Sequence, residues 1–332
     1  MRAALAIALL AAACGDNIEG LTLDQLEAAR RAAECERYVR CGMFDDQETC
    51  TTTFRKDYDP ALPAAVDAGK IRFDPLAAAQ CHRELAARSC DATATDNRVL
   101  PAACQRVLVG TIKAGATCLD DRTCATGDCD APRCERDACC PGGCAAFAAP
   151  AAIGEPCTAR VGCVAGAACA TGGTCRALAA MGGECRADIE CAVGLACIGA
   201  SELQAGACRA LPKIGEPCPY QRCAEIGARC ASGVCVAVGL EGDACADDTA
   251  CSEFYLCDAM TSTCAPLPRL GEPCTGRCAG EAWCELPDLG NVGTCRTPQP
   301  NAAPCSASDQ CATQYCQEGP IFDQCAQPAL CF

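Results

Sequence analysis

Large side chains are scarce in this 332-residue chain: aromatic residues make up 4%, and the 51% hydrophobic share is swollen by alanine and by cysteine itself. That shortage excludes a conventional apolar core as the main source of stability, so covalent staples have to replace burial. Histidine occurs once, at His82 beside Cys81. A Ser-His-Asp or Cys-His hydrolase would have to use that ring, and no G-x-S-x-G elbow accompanies it. The plainer reading of His82 is a residue on a helix surface. No C-x-x-C and no C-x-C occurs anywhere, which removes the spacings on which zinc ribbons, thioredoxin-like motifs and ferredoxin clusters lean. EF-hand and glycine-rich phosphate loops are absent too. The chain is therefore expected to be non-enzymatic, with no catalytic residue, no cofactor and no metal. Positive charge is also short, with 27 basic against 42 acidic residues and a formal net charge of −15, which argues against a nucleic-acid partner.

Cysteine is what the chain has in excess. Thirty-nine of them amount to about 12%, above the roughly 8–10% at which a sequence reads as a disulfide scaffold. A reducing cytosol would leave such thiols unpaired, so an oxidising compartment is implied. The N-terminus agrees: Met1 and Arg2 precede the apolar run Ala3 to Ala13, far shorter than the ~20 residues a membrane span needs. The run closes as LLAAAC, which resembles the lipobox of bacterial lipoproteins, whose signal peptidase cuts before a cysteine that already carries diacylglycerol. The resemblance implies a signal peptide over 1–13, lipidation at Cys14 and an anchor and linker over 14–21. It also implies a membrane partner through the acyl chains and an outer-membrane location, at the cell surface or facing the periplasm. Setting Cys14 aside leaves an even number of cysteines, so no thiol need remain unpaired.

Residues 22–110 read as a small helical domain with six cysteines, Cys35, Cys41, Cys50, Cys81, Cys90 and Cys104. Thr22 and Gln25 form a capping box ahead of a helix from Leu23 to about Arg40. Asp74 and Pro75 are an N-cap and first-turn pair for a second helix to Arg88. A shorter helix over Pro63 to Ala68 should stop at Gly69. Six cysteines allow 15 pairings, and the sequence leaves them open.

From 114 to 332 the chain becomes a tandem repeat. Seven four-cysteine units start near 115, 154, 182, 215, 242, 271 and 302, their first cysteines 27 to 39 residues apart. Their cysteines are Cys118, Cys124, Cys129, Cys134 in the first unit and Cys157, Cys163, Cys169, Cys175 in the second. The third has Cys185, Cys191, Cys197, Cys208 and the fourth Cys218, Cys223, Cys230, Cys235. Cys245, Cys251, Cys257, Cys264 make the fifth, Cys274, Cys278, Cys284, Cys295 the sixth, and Cys305, Cys311, Cys316, Cys325 the seventh. Cys139, Cys140 and Cys144 are extra in the first unit and Cys331 in the last, with partners unassigned. Three units open with GEPC, whose Gly-x-Pro turn fixes the start of each. Two disulfides per unit, with short strands and turns between, would hold a piece of chain too small to fold unaided. Ala- and Pro-rich joints such as AAFAAPAAI and TPQPNAA suggest limited hinging between beads rather than one shared core.

The unit G-x-P-C-x5-C-x5-C with its fourth cysteine resembles the cysteine-rich repeats of exported myxobacterial-type lipoproteins, which are similar to the N-terminal cysteine-rich region of the Dickkopf family. ECERYVRCGMF, GKIRFDPLAAAQC and LPAACQRVLVGTIKAGATC look like the helical domain that precedes such repeats. The resemblance covers nearly the whole chain after Cys14 and implies a colipase-like disulfide knot per unit. It transfers no functional residue.

Together these readings describe an acidic bead-string projecting from a helical domain near the lipid, for extracellular recognition or a structural envelope role. An inhibitor or modulator of an extracellular protein such as a protease is the first alternative, and weak calcium binding by the Asp120–Asp121 and Asp247–Asp248 pairs another. Tyr255, Trp283 and Tyr315, each just before a third cysteine, would make a contact series for a protein or glycan partner if exposed. The simpler expectation is that each packs on its own unit's disulfides.

Overall fold

The computed structural model of the chain describes residues 19–326 apart from 56–58, 95–96, 98, 131–139, 159–160, 171, 288–290 and 318–322. The expected signal peptide over 1–13, Cys14, Cys134, Cys139 and Cys331 lie outside the described residues.

The architecture is a set of small disulfide-rich repeats in tandem, built of short antiparallel strands and turns and preceded by a small helical domain. That domain opens with a 3-10 turn, Leu23–Gln25, in which the Gln25 side chain accepts a hydrogen bond from the Thr22 amide at 3.0 Å. The turn runs directly into α1, Leu26–Arg40. α2 spans Gln47–Thr53, capped by the Asp46 carboxylate on the Thr49 amide; three consecutive threonines gave no helical signal, and the cap supplies what propensity lacks. α3 is Ala61–Asp67, with Gly69 beyond it at φ 69°. Strand β1, Ile71–Phe73, leads to Asp74, whose carboxylate caps α4, Pro75–Ala86. β2, Leu108–Gly110, pairs antiparallel with β1 and hands the chain on to the repeats. Three crossed disulfides hold the domain: Cys35–Cys50, Cys41–Cys90 and Cys81–Cys104.

Every repeat uses one covalent plan, first cysteine to third and second to fourth. The first-to-third bonds close 10 to 12 residues in all seven repeats. The second-to-fourth bonds close 12 to 20. In the first repeat the fourth position is filled by Cys144, bonded to Cys124, and not by Cys134. The reason is that the strand Gly142–Cys144 is the one that pairs with Thr117–Cys118 and Cys129–Asp130, so the true hairpin partner lies further along the chain than Cys134. Cys140 is also disulfide-bonded.

The backbone repeats as faithfully as the sulfurs. Three residues before each first cysteine, the amide donates to the carbonyl of the fourth cysteine, from Gly115 to Cys144 through Ala302 to Cys325. The preceding β-turn needs positive φ at that residue, the type II form. Six repeats place glycine there, at φ 80° to 93°, and the seventh places Ala302 at φ 68°. Ala302→Gly is accordingly expected to raise stability by about 0.5–1 kcal/mol, and Gly215→Ala to lower it by at least as much; thermal unfolding of the two variants checks this.

The beads do not hinge freely at their joints. Six residues before each first cysteine, a carbonyl accepts from the amide that follows the second cysteine, as Ile112 does from Ala125 at 2.8 Å and Gln299 from Ala312 at 2.9 Å. The Ala- and Pro-rich stretches are thus pinned into the next repeat. Six of the seven repeats also return to the helical domain. Arg122 of the first pairs with Asp59, and the Gly194 amide of the third donates to the Thr93 carbonyl at 3.1 Å. The fourth forms an antiparallel bridge at Asp91 and Glu225. Its Gly227 approaches so closely that a Cβ there would lie 2.1 Å from the Cys41 oxygen. Gly280 of the sixth donates to the Thr53 carbonyl, and Arg55 donates to the Asp309 and Cys311 carbonyls of the seventh, at 3.1 Å each. Expected as a string projecting outward, the array instead wraps its own helical domain.

The largest core joins the two parts. Cys35, Met43, Phe44 and Cys50 of the helical domain are buried with Cys251, Tyr255 and Cys264 of the fifth repeat. Phe44 stacks on Phe254 with centroids 4.6 Å apart, and Tyr38 and Phe54 complete the cluster. The chain has seven Phe, five Tyr and one Trp, and five of those rings meet here, which is where its scarce aromatic area is concentrated.

Candidate functional site

The ring series expected before the third cysteines is not a surface series. Tyr255 is fully buried. Its hydroxyl donates to Asp45 Oδ2 at 3.0 Å, and the same carboxylate oxygen accepts from the Glu241 amide at 3.0 Å. Burial chiefly, with the facing Asp45 carboxylate adding to it, pushes the phenol above its ordinary range against the opposing hydrogen bond from the Asp45 amide. The expectation that Tyr255 packs on its own disulfide is met only in part: it is clustered with Cys251 and Cys264 of its own repeat, and its ring also meets Phe44 of the helical domain at 5.9 Å. Trp283 is half-buried and donates from Nε1 to the Thr297 carbonyl at 3.3 Å, within its own repeat. Tyr315 is half-buried at the seventh repeat.

The acidic residues that raised calcium binding serve the repeat frame. Asp121, Asp188 and Asp248, three residues after a first cysteine, each accept from the amide of the third cysteine at 2.6 to 2.8 Å. Asp120 caps the turn at Arg122 and pairs with its guanidinium at 2.9 Å, which holds the carboxyl below its usual range against the opposing effect of burial. Asp247 accepts from the Thr249 amide and hydroxyl. Glu155, Glu216, Asp243 and Glu272, two residues before a first cysteine, accept from the amide three residues earlier at 2.7 to 2.9 Å. Much of the acidity of the repeats is thus a set of backbone latches. In several repeats three cysteine sulfurs lie within 4.8 Å of one another. These sulfurs belong to crossing disulfides and lack the thiolate character that a metal ligand requires.

A cleft in the helical domain brings together side chains from several of its elements. Its volume is about 380 Å³. Leu23 of the 3-10 turn and Leu26, Glu27 and Arg30 of the N-terminal end of α1 face it. Leu62 and Pro63 come from α3, Cys81, His82 and Leu85 from α4, and Cys104, Val107 and Leu108 close the far side. Ala77, Ala78, Ala103 and Val107 pack beneath with the Cys81–Cys104 disulfide, so the floor is covalently fixed.

The polar groups of the cleft are unequal. Arg30 pairs with Glu34 at 3.4 Å and Asp59 with Arg122. Glu27 gives Oε2 to Arg31 at 3.3 Å, while its Oε1 is buried with no hydrogen-bond partner. His82, read from sequence as a helix-surface residue, is only 8% exposed, and its Nδ1 is likewise buried without a partner. α4 turns it inward because it stands one turn beyond the fully buried Ala78, on the face the helix packs against the domain. Burial, and then the charge of Arg30, lower the imidazole pKa and favour its neutral form. No sequence signal marked the cleft, because its walls come from segments up to 85 positions apart.

Comparison of the chain with protein-family profiles, curated proteins and solved structures returns no match.

Proposed function

We propose that the chain is an exported, non-enzymatic bacterial lipoprotein, anchored through Cys14, whose stapled repeats present loops for extracellular recognition of a protein or glycan. The observation that carries this reading is the contrast within each repeat. The first-to-third loop is nearly constant in length, whereas the second-to-fourth loop varies from 12 to 20 residues. Invariant bonding with variable hairpin tips is what a display scaffold requires, since rigid loops lose little entropy on binding. Two of the tips carry Leu203 and Met260, each 95% exposed. The extensive disulfides place the protein in an oxidising compartment, and no helix among the described residues is long and apolar enough to cross a membrane. An acylated Cys14 supplies the attachment, as the LLAAAC resemblance implies.

The same pre-organised tips support a second reading, an inhibitor or modulator of an extracellular protein such as a protease. A single tight stoichiometric partner pulled from the cell envelope separates it from adhesion, which gives whole-cell or glycan-array binding.

The anchor is tested by labelling cells with an alkyne-bearing fatty acid. The wild-type chain is expected to take the label and enter the detergent phase, and Cys14→Ser to lose both properties and leave the membrane fraction. Unlabelled wild-type protein, or a Cys14→Ser variant that keeps its label, overturns the lipoprotein reading.

A further inference from the structure

We propose that the cleft between α1, α3 and α4 is a binding site for a small, uncharged, largely apolar molecule that carries a hydrogen-bond donor. This goes beyond the display role and does not depend on it. The cleft has the volume of a small-molecule pocket, about 380 Å³, against the range of roughly 300–1,000 Å³ typical of such sites. Its lining is mostly leucine, valine, proline and a disulfide, which favours an apolar body. The two polar atoms left without partners at its walls, Glu27 Oε1 and His82 Nδ1, set the chemistry of the head. A carboxylate oxygen only accepts, and Nδ1 of a neutral imidazole accepts in the tautomer that carries its proton on Nε2, the one proposed for His82. The complement of such a pair is a donor: a hydroxyl, an amine N–H or an amide N–H.

Charge decides against the ionic alternatives. Each charged side chain lining the cleft already has a counter-charge in the protein, Arg30 with Glu34, Glu27 with Arg31, Asp59 with Arg122. An anionic ligand would have to bury its charge beside Glu27 with no cation free to meet it, and a buried charge without a partner is strongly disfavoured. The Cys81–Cys104 bond keeps the wall in place, so the site is formed before the ligand arrives.

His82 is the only histidine in the chain, so its imidazole proton resonances are unique and report on the cleft without any mutation. In the oxidised mature protein, 1-decanol is expected to shift them saturably and to displace the fluorescent probe 1-aminoanthracene. Decanoate should compete at least tenfold less well than 1-decanol. Leu62→Trp, which fills the cleft from α3, should abolish probe binding, and His82→Phe should weaken it about tenfold, with circular dichroism and thiol titration reporting whether each variant folds. The proposal is overturned if 1-decanol leaves the His82 resonances unmoved, if decanoate competes equally, or if a folded Leu62→Trp binds the probe as the wild type does. Should neither variant fold, the wild-type resonances and the 1-decanol against decanoate comparison still decide it.

Discussion

Replacing Tyr255 by alanine is expected to cost about 3–5 kcal/mol and to detach the fifth repeat from the helical domain. Truncating a large buried aromatic side chain falls in that range because the lost transfer energy is joined by a cavity that the surroundings cannot fill. Collapse is hindered here by covalent geometry: Cys35–Cys50 on one side and Cys251–Cys264 on the other bound the same cluster. The substitution also leaves Asp45 with only the Glu241 amide of the two donors it meets in this interface. Tyr255→Phe isolates that second effect and should cost about 1.5–3 kcal/mol, the worth of a hydrogen bond to a charged acceptor. Calorimetry measures both. Limited proteolysis at the joint before Gly242 should cut the alanine variant and spare the phenylalanine one. An alanine variant that melts like the wild type would show that the repeats stand independently of the helical domain.

The second large effect concerns the longest covalent loop among the described residues. Removing Cys41–Cys90, which joins residues 49 apart, is expected to cost about 4 kcal/mol in the chain-entropy account. Removing Cys223–Cys235, 12 apart, should cost about 3. The two also differ in what remains. Around Cys90, Arg40 still donates to the Ala86 and Arg88 carbonyls and Arg37 to that of Ser89, so the native junction can form once the loop is closed. In the fourth repeat Cys218–Cys230 still closes its own loop, but the covalent second-to-fourth closure of the hairpin is gone. Double Cys→Ala variants compared by thermal unfolding give the order, and the small-loop variant should unfold locally, seen as fast amide exchange confined to that repeat.

The repeat plan was legible because it is local. The seven first cysteines, the Gly-x-Pro turn and the helix from Leu23 to Arg40 all depend on residues within a few positions of one another. The fourth cysteine of the first repeat was not legible, because Cys134 and Cys144 both suit a hairpin and only strand pairing separates them. α2 escaped notice because its run of threonines is a poor helix former and the Asp46 cap decides. The wrapping of the array was hidden for a different reason. Phe44 and Tyr255 are more than 200 positions apart, and the paucity of aromatics suggested separate beads when it meant one concentrated core. The cleft escaped for the same cause, and His82 was discounted on its isolation in the sequence, the property that now makes it a clean reporter.

The crossed bonding also bears on how the protein is made. None of the seventeen described disulfides joins cysteines adjacent in order along the chain: Cys35 passes over Cys41 to reach Cys50, and each first cysteine of a repeat passes over the second. A polypeptide threaded through a translocation pore N-terminus first offers its thiols one at a time, so an oxidant acting on arrival couples neighbours and produces the wrong loop in every repeat. The native set is then reached by thiol–disulfide exchange. Inside a repeat the search spans at most 20 residues, whereas Cys41 has to wait for Cys90 to emerge. Secretion yield is therefore expected to depend on the supply of a disulfide isomerase, and a host rich in oxidant alone is expected to accumulate scrambled chains.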